Sequence, residues 1–310
     1  METVAVLPTD LDGRHVLAVP AGADVLGLAR AWFVDPGWTR EPAAPEPAPA
    51  MPTGARFRGV VVDAGPVRPG AMRLDEAAAL VGPLPVAADE AHARGLPPGG
   101  WDLYGTADPT SVRVDEPAPT DAVSRRVSGW LVATARRTRG LVVPADRASV
   151  LVPDPGQGVD LTLWSAVPLT PADLVAVVRP AMVGARVGAP EVGESTGSAP
   201  VPCRLTATFE YDGQVVVTLA RSTTLPVVLT TIDWRASGPW AYRVRWRPID
   251  PDELGSEQPS RLHVIARDRV APMLARVATA LQRAVEGTVV DAGGFVVSPD
   301  DLVRRSRPTA

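Results

Sequence analysis

The feature that most constrains the fold is a stretch of sequence that occurs twice. Residues 121–145 align without a gap on residues 268–292, and eight aligned positions are identical. Chance identity for this composition is roughly two positions, so the match indicates a duplicated unit. Each copy has an apolar period typical of a helix, over 121–139 and 268–286, and then Gly140 or Gly287. This pattern predicts a helix capped by glycine and followed by a strand.

Two further landmarks precede both copies in the same order. Residues 84–86 correspond to 225–227 as Leu-Pro-Val, and Gly99-x-Trp101 corresponds to Gly238-x-Trp240. Together the landmarks predict a strand–helix–strand–strand unit present twice, with Trp101 in the place of Trp240 and Gly140 in the place of Gly287. The alternative is that helices rich in Ala, Val and Arg resemble one another without a duplication.

Turn and cap residues predict other elements. Alternating residues on both sides of Asp212-Gly213 predict a hairpin in which both turn residues take positive φ. Thr170-Pro171 predicts a helix start, and residues 60–62, 161–164 and 242–246 are strand candidates. The predicted fold is α+β, with two related halves in a pseudo-two-fold arrangement. Each half is expected to pair an antiparallel sheet with one or two helices.

Two stretches are poor in residues that could build a core. Residues 41–54 are a Pro/Ala run, and residues 184–202 are rich in Gly, Ser and Pro. They predict an N-terminal hairpin with a short helix at 1–40, a first half at 55–183 and a second half at 203–303. A basic tail follows at 304–310.

Composition excludes several function classes. The chain has neither Lys nor Asn, so all 31 basic residues are Arg. The missing Lys excludes a Walker-type phosphate site, an internal Schiff base and a kinase ATP site, and the missing Asn excludes N-glycosylation. Lys and Asn have AT-rich codons, so their absence is typical of a GC-rich bacterial genome. A net charge of −4 gives no reason to expect nucleic acid or an anionic membrane as a partner.

The single cysteine, Cys203, permits neither an intramolecular disulfide nor a multi-cysteine zinc site, and we expect an inert thiol. A single cysteine fits a reducing compartment. We find no apolar run of about 18 residues and no basic leader, so neither a membrane span nor a signal peptide is expected. The chain is therefore expected to be a cytoplasmic protein.

Two short motifs are interpreted as loops. Asp10-Leu11-Asp12-Gly13 resembles the first motif of haloacid-dehalogenase-type phosphotransferases, but Arg14 stands where that family has Thr, and the chain has no Lys. We expect an Asp-Gly turn between strands at 4–7 and 15–19. Residues 193–197 match G-x-S-x-G around Ser195, but no strand precedes them and no helix follows.

Metal and cofactor chemistry is not predicted. His15, His92 and His263 lack metal-ligand spacing, although a site assembled from distant segments stays open. The acidic residues 89–90 and 250–253 are interpreted as solvated surface. No cofactor and no metal are expected.

One surface feature indicates binding. In a strand over 242–247, Arg243, Arg245 and Arg247 share one face, and this stripe suits carboxylates or phosphates. The alternative is that it neutralises Asp250, Asp252 and Glu253. The favoured function is a non-enzymatic binding or scaffold protein with an acidic protein partner. The rival is an enzyme or small-molecule binder with its site at the junction of the halves.

Overall fold

The computed structural model describes residues 7–43, 68–108, 125–188, 203–256 and 258–307. The chain divides into two compact units, unit 1 from Met1 to Pro153 and unit 2 from Asp154 to Ala310. The described residues form an α+β fold with two antiparallel sheets and seven α-helices. The predicted fold class is confirmed at this level. The strand candidate at 60–62 lies outside the described residues.

Unit 1 contains a six-stranded antiparallel sheet in the order β2-β3-β4-β5-β1-β6. Its elements are β1 Val16–Pro20, α1 Val25–Arg30, β2 Gly37–Arg40, β3 Gly70–Arg73, β4 Ala79–Val86, α2 Ala88–Ala91, β5 Trp101–Ala107, α3 Arg125–Thr138 and β6 Leu141–Val143. Strand β1 lies between β5 and β6, so both of its edges are paired. The two edges of Val16–Ala18 are therefore taken by β5 and β6, and residues 4–6 of the predicted first strand lie outside the described residues.

The sheet of unit 1 has a buried residue set on each face. On the helix face, Leu17 and Tyr104 pack in one cluster with Trp130 of α3. On the opposite face, which we call the outer face, Ala18 and Leu103 pack with residues that precede β1 or follow β4. The central strands therefore bury apolar side chains on both faces of the sheet. This explains why nearly every residue of β1 is apolar.

Unit 2 contains a seven-stranded antiparallel sheet in the order β13-β12-β7-β11-β10-β9-β8. Its elements are β7 Leu161–Ser165, α4 Pro171–Val178, β8 Arg186–Gly188, β9 Cys203–Phe209, β10 Gly213–Arg221, α5 Trp234–Ser237, β11 Trp240–Arg247, α6 Arg261–Val285, β12 Thr288–Asp291, β13 Val296–Val297 and α7 Pro299–Arg305. Strand β7 pairs with β11 and β12. The boundary therefore lies before β7, not at the predicted linker 184–202, where residues 186–188 instead form an edge strand.

Two predicted helices differ in how closely they match the structure. Helix α4 begins as predicted, because Thr170 Oγ1 accepts a hydrogen bond from Asp173 N at 3.2 Å. Helix α6 begins earlier than predicted, because Ser260 Oγ accepts from His263 N at 3.2 Å and caps it. Pro272 therefore lies inside α6 and not in its first turn.

The predicted hairpin forms, but with a different turn. Phe209 pairs with Gly213, so the loop is residues 210–212. Gly213 has φ 80°, whereas Asp212 is not among the residues with positive φ. The prediction of a two-residue Asp-Gly turn was therefore wrong. The loop has three residues, and Gly213, which takes the left-handed conformation, is the first residue of β10.

The helices that precede β6 and β12 end in the same way. Arg139 and Glu286 take the left-handed conformation, with φ 58° and 51°, so the cap is one residue earlier than predicted. Gly140 and Gly287 are required for a different reason. A Cβ at Gly140 would clash with the carbonyl oxygen of Ala18, and one at Gly287 with that of Trp164.

We expect Glu286→Gly to raise the free energy of unfolding by about 1 kcal/mol, because glycine removes left-handed strain and the substitution removes a carboxylate from a helix C-terminus. Urea unfolding of the full chain measures the change. Glu286→Ala removes the same charge but keeps the strain, so it should give a smaller gain. An equal gain for both variants would assign the effect to charge alone.

The two sheets share a strand order. Strands β8-β9-β10-β11-β7-β12 follow the same order in unit 2 as β2-β3-β4-β5-β1-β6 in unit 1, and they occur in the same chain order. The register agrees as well, since Leu17 pairs with Tyr104 and Val142, and Leu163 pairs with Tyr242 and Val289. Tyr104 therefore corresponds to Tyr242, and Gly140 corresponds to Gly287.

Two sequence landmarks do not correspond in this register. Trp101 belongs to the outer-face cluster of unit 1, whereas Trp240 packs against the helix-face cluster of unit 2. The predicted equivalence of Trp101 and Trp240 was therefore wrong by one residue. Residues 84–86 lie in β4, while residues 225–227 enter a 3₁₀ helix at Val227–Leu229.

Candidate functional site

The predicted stripe lies on β11 and alternates as expected. Tyr242, Val244 and Trp246 are buried in the helix-face core. Arg243 is half-buried, and Arg245 and Arg247 are exposed. All three lie on the face of the unit 2 sheet opposite the cluster that α4 and α6 cover, which we call its outer face. A strand that is apolar on alternate residues holds its other residues on one side, about 7 Å apart. The structure therefore places the three guanidinium-bearing residues on one surface.

Neighbouring strands add two arginines that sequence reasoning missed. Thr218 pairs with both Arg243 and Arg204, and Thr206 pairs with Arg186. Since directly paired residues point to the same side of a sheet, Arg204 and Arg186 share the outer face with the stripe. We call this surface the arginine face; its arginines are Arg186, Arg204, Arg243, Arg245 and Arg247.

The strand residues of the arginine face carry no carboxylate. Besides the five arginines, the outer-face positions of β8 to β11 hold Gly188, Thr206, Thr208, Gln214, Val216, Thr218, Ala220 and Ala241. In β8 to β11, every ionisable side chain on this face is thus cationic at neutral pH. A net charge of −4 for the whole chain conceals this local excess.

One carboxylate lies at the margin of the arginine face. Asp160, just before β7, accepts a hydrogen bond from Trp246 N at 2.9 Å. Burial raises the pKa of Asp160, while this hydrogen bond and the nearby Arg245 lower it. The positive charge of Arg245 therefore acts on a carboxylate at the margin of the arginine face.

Two of the three acidic residues that the alternative interpretation assigns to the stripe accept hydrogen bonds from nearby backbone. Asp250 Oδ1 accepts from Asp252 N at 3.1 Å and begins the 3₁₀ helix Pro251–Gly255. Glu253 Oε2 accepts from Ser260 N at 2.6 Å, next to the start of α6. The side chains of Asp250 and Glu253 thus cap local backbone, which accounts for their presence without the stripe.

The histidines lie in separate local environments. His15 precedes β1, and burial lowers its pKa. His92 is exposed in a 3₁₀ helix, whereas His263 is buried in α6 with its ring 4.8 Å from that of Trp246. Within the described part of the chain, no group of three His, Cys, Asp or Glu side chains could hold a metal ion.

The buried Cys203 and Tyr242 are held in unreactive states. Cys203 lies in the helix-face core of unit 2, and burial raises the pKa of its thiol. Burial also raises the pKa of Tyr242 to about 12. The Tyr242 hydroxyl donates to Val167 O and accepts from Leu169 N, both at 2.7 Å. Neither group is poised as a nucleophile at neutral pH.

The two short motifs have different outcomes. Asp10 and Asp12 lie in a 3₁₀ helix and the turn after it, and Gly13 has φ 68°. The buried Arg14 donates to Thr106 O at 3.0 Å and holds this segment on the sheet. Ser195 lies outside the described residues.

Comparisons with known proteins do not identify a family. No protein-family model matches the chain, and searches of curated proteins and of solved structures found no match. Among the described helices, none combines the length and the hydrophobicity that a membrane span needs.

Proposed function

We propose that this protein is a non-enzymatic binding protein that holds an acidic segment of a partner protein on the arginine face. The observation that carries the proposal is the set of five arginines on strands β8 to β11 with no carboxylate among them. Guanidinium groups match carboxylates in a planar, two-bond geometry, and Arg is favoured at interfaces for this reason. A cytoplasmic location and the absence of a nucleic-acid partner stay predictions.

The arrangement suits several weak contacts acting together. One exposed ion pair contributes about 0.5 kcal/mol, so a single arginine would not hold a partner. Residues 243, 245 and 247 repeat at about 7 Å, which is also the spacing of alternate residues in an extended peptide. An extended segment with carboxylates at alternate positions can therefore contact all three arginines of β11 at once.

We also propose that the two units arose by internal duplication and have since diverged in function. The common strand order, the common register of Tyr104 and Tyr242, and the two clash-limited glycines support common descent. In this register, Gly105 and Ala107 of unit 1 correspond to Arg243 and Arg245. Unit 1 thus has small apolar residues at the two positions where unit 2 has arginines. This difference favours unit 2 as the binding unit.

Charge reversal tests the proposed function. We expect Arg243→Glu/Arg245→Glu/Arg247→Glu to weaken binding of a fluorescein-labelled peptide of about ten residues, alternating Glu and Ser, by about 30-fold. Fluorescence anisotropy gives Kd. Raising the salt from about 50 to about 300 mM should weaken binding to the unaltered protein, because exposed charges are screened.

Two further variants control for folding and for general charge. Arg243→Glu/Arg247→Glu leaves Arg245 near Asp160 unchanged and should still lose most of the affinity. Arg221→Glu changes an exposed arginine of β10 that alternates with the outer-face residues and so lies on the other side of the sheet. This variant should bind the peptide as tightly as the unaltered protein does. The proposal would be contradicted if all variants bound the peptide with equal affinity. It would also be contradicted if the unaltered protein bound a single-stranded oligonucleotide more tightly than the peptide.

A further inference from the structure

The two units share a tyrosine at one register position, Tyr104 in unit 1 and Tyr242 in unit 2, but their hydroxyls differ. The Tyr242 hydroxyl bonds to Val167 O and Leu169 N, both at 2.7 Å. Tyr104 is only 4% exposed, and no described residue bonds to its hydroxyl. The Tyr104 oxygen still reaches the surface, since it is not among the fully enclosed unpaired atoms. Buried polar groups normally have a partner, so this hydroxyl indicates a position where a ligand binds.

The turn after β1 explains why Tyr104 lacks such partners. Counting along the chain from the equivalent strands β1 and β7 places Ala23 where unit 2 has Leu169. The next residues, Asp24 and Thr170, both cap a helix, which supports this alignment. Leu169 N bonds to the tyrosine of unit 2, whereas Ala23 N bonds to the carbonyl oxygen three residues before it, at 3.2 Å. The Tyr104 hydroxyl therefore lies beside a turn that does not use it.

Two carboxylates lie around this hydroxyl. Asp102 is two residues before Tyr104 on β5, on the same face with Cα atoms about 7 Å apart, and its Oδ2 accepts from Gly22 N at 2.8 Å. Asp24 caps α1, where its Oδ1 accepts from Gly27 N at 2.9 Å. Burial raises the pKa of the Tyr104 hydroxyl, and the charges of Asp102 and Asp24 raise it further. The hydroxyl is therefore neutral at physiological pH and lies within the field of both carboxylates. We call Asp24, Asp102 and Tyr104 the Tyr–Asp site.

The free acceptors of the Tyr–Asp site match an ammonium group. Within the described part of the chain, neither carboxylate has an ion pair, and each uses only one oxygen for a hydrogen bond. Three oxygens stay available: Asp24 Oδ2, Asp102 Oδ1 and Tyr104 Oη. An ammonium group has three N–H donors and no acceptor, so it can bond to all three. A guanidinium group instead favours both oxygens of one carboxylate, and here one oxygen of each is already occupied.

We infer that the Tyr–Asp site binds a primary ammonium group. The inference concerns unit 1 and does not depend on the arginine face. The chain has no Lys, so the ammonium group comes from a lysine of another protein or from a small amine. The register places Trp240 at the position of Asp102, and the equivalent tyrosine of unit 2 already has its partners, so the site is specific to unit 1.

Titration of the ¹⁵N-labelled full chain with an acetylated and amidated Ser-Lys-Ser peptide tests the inference. We expect saturable shifts of the Gly22 and Gly27 amide signals, because both amides donate to the carboxylates of the site. The same peptide with an Nε-acetylated lysine should shift neither signal, because acetylation removes the charge. A Ser-Arg-Ser peptide should bind about threefold more weakly, because it loses one well-aligned hydrogen bond.

Three variants connect binding to the named groups. Tyr104→Phe should weaken binding of the lysine peptide about fivefold, and it should leave the urea midpoint unchanged because no protein hydrogen bond is lost. Asp102→Asn keeps an acceptor for Gly22 N and removes the charge, so we expect a loss of about tenfold. Asp89→Asn removes an exposed carboxylate of α2 and is the control for general charge, with unchanged affinity.

The outcomes that contradict the inference are specific. Equal shifts with the acetylated and unacetylated peptides, or full affinity in Tyr104→Phe, overturn the ammonium site. Tighter binding of Ca²⁺ than of the lysine peptide, measured on the same two signals, would make it a metal site and also overturn the inference. A parallel titration with 1,4-diaminobutane distinguishes the two sources. Tighter binding of the diamine identifies a small amine as the ligand, and tighter binding of the peptide identifies a protein lysine.

Discussion

We expect Gly287→Ala to lower the free energy of unfolding of unit 2 by about 3 kcal/mol, an effect at the upper end for overpacking. The added Cβ would clash with the carbonyl oxygen of Trp164 and crowd Leu163 Cδ1 at 2.7 Å. Both belong to the central strand β7, which is paired on both edges. Backbone held in this way cannot move aside, so α6 and β12 must shift instead. Differential scanning calorimetry of the full chain measures the loss.

Gly140→Ala is the matched test in unit 1, since its Cβ would clash with the carbonyl oxygen of Ala18 in β1. Gly255→Ala and Gly37→Ala are the controls, because a Cβ at either position meets nothing within 4 Å. Both controls should change stability by less than about 0.5 kcal/mol. Stability losses of similar size in the test and control variants would show that the contacts at Gly140 and Gly287 are not limiting.

Local patterns in the sequence predicted elements well where the cause is local. The alternation at 242–247 is visible because a half-buried strand repeats every two residues, and the start of α4 is visible because Thr170 and Pro171 act within one turn. Boundaries set by distant contacts were missed. Strand β7 was assigned to the first half because its partners β11 and β12 lie far along the chain.

The candidate site follows the same division. Three arginines of the arginine face are adjacent on one strand, so their common face follows from the sequence. Arg204 and Arg186 lie on other strands, and their place depends on the register of β8, β9 and β10. The hairpin prediction already joined β9 to β10, so for Arg204 the missing step was the pairing of β10 with β11. For Arg186 the strand β8 was also missed, since it lies within the predicted linker.

We expect Arg267→Ala to lower the free energy of unfolding by about 3 kcal/mol, because it breaks a largely buried ion pair and leaves the partner carboxylate behind. Arg267 Nη1 lies 2.6 Å from Asp154 Oδ2, and the arginine side chain is 7% exposed. The Asp154 side chain is 31% exposed, so the loss should fall at the low end for buried pairs. Asp154 also accepts from Gly156 N at 2.8 Å, so the segment before β7 should loosen. Urea unfolding and amide exchange at Gly156 measure both effects.

Arg269→Ala on the same helix is the control for Arg267→Ala. Arg269 also forms an ion pair, with its Nη1 3.4 Å from Asp212 Oδ1, but its side chain is 62% exposed. Solvent screens such a pair, so its removal should cost less than about 1 kcal/mol. The comparison keeps residue type and helix constant and changes chiefly the burial of the arginine, although Arg267 also lies 3.5 Å from Asp268 Oδ1. Equal losses for the two variants would mean that burial of Arg267 adds nothing, and that Asp154 is solvated well enough to stand alone.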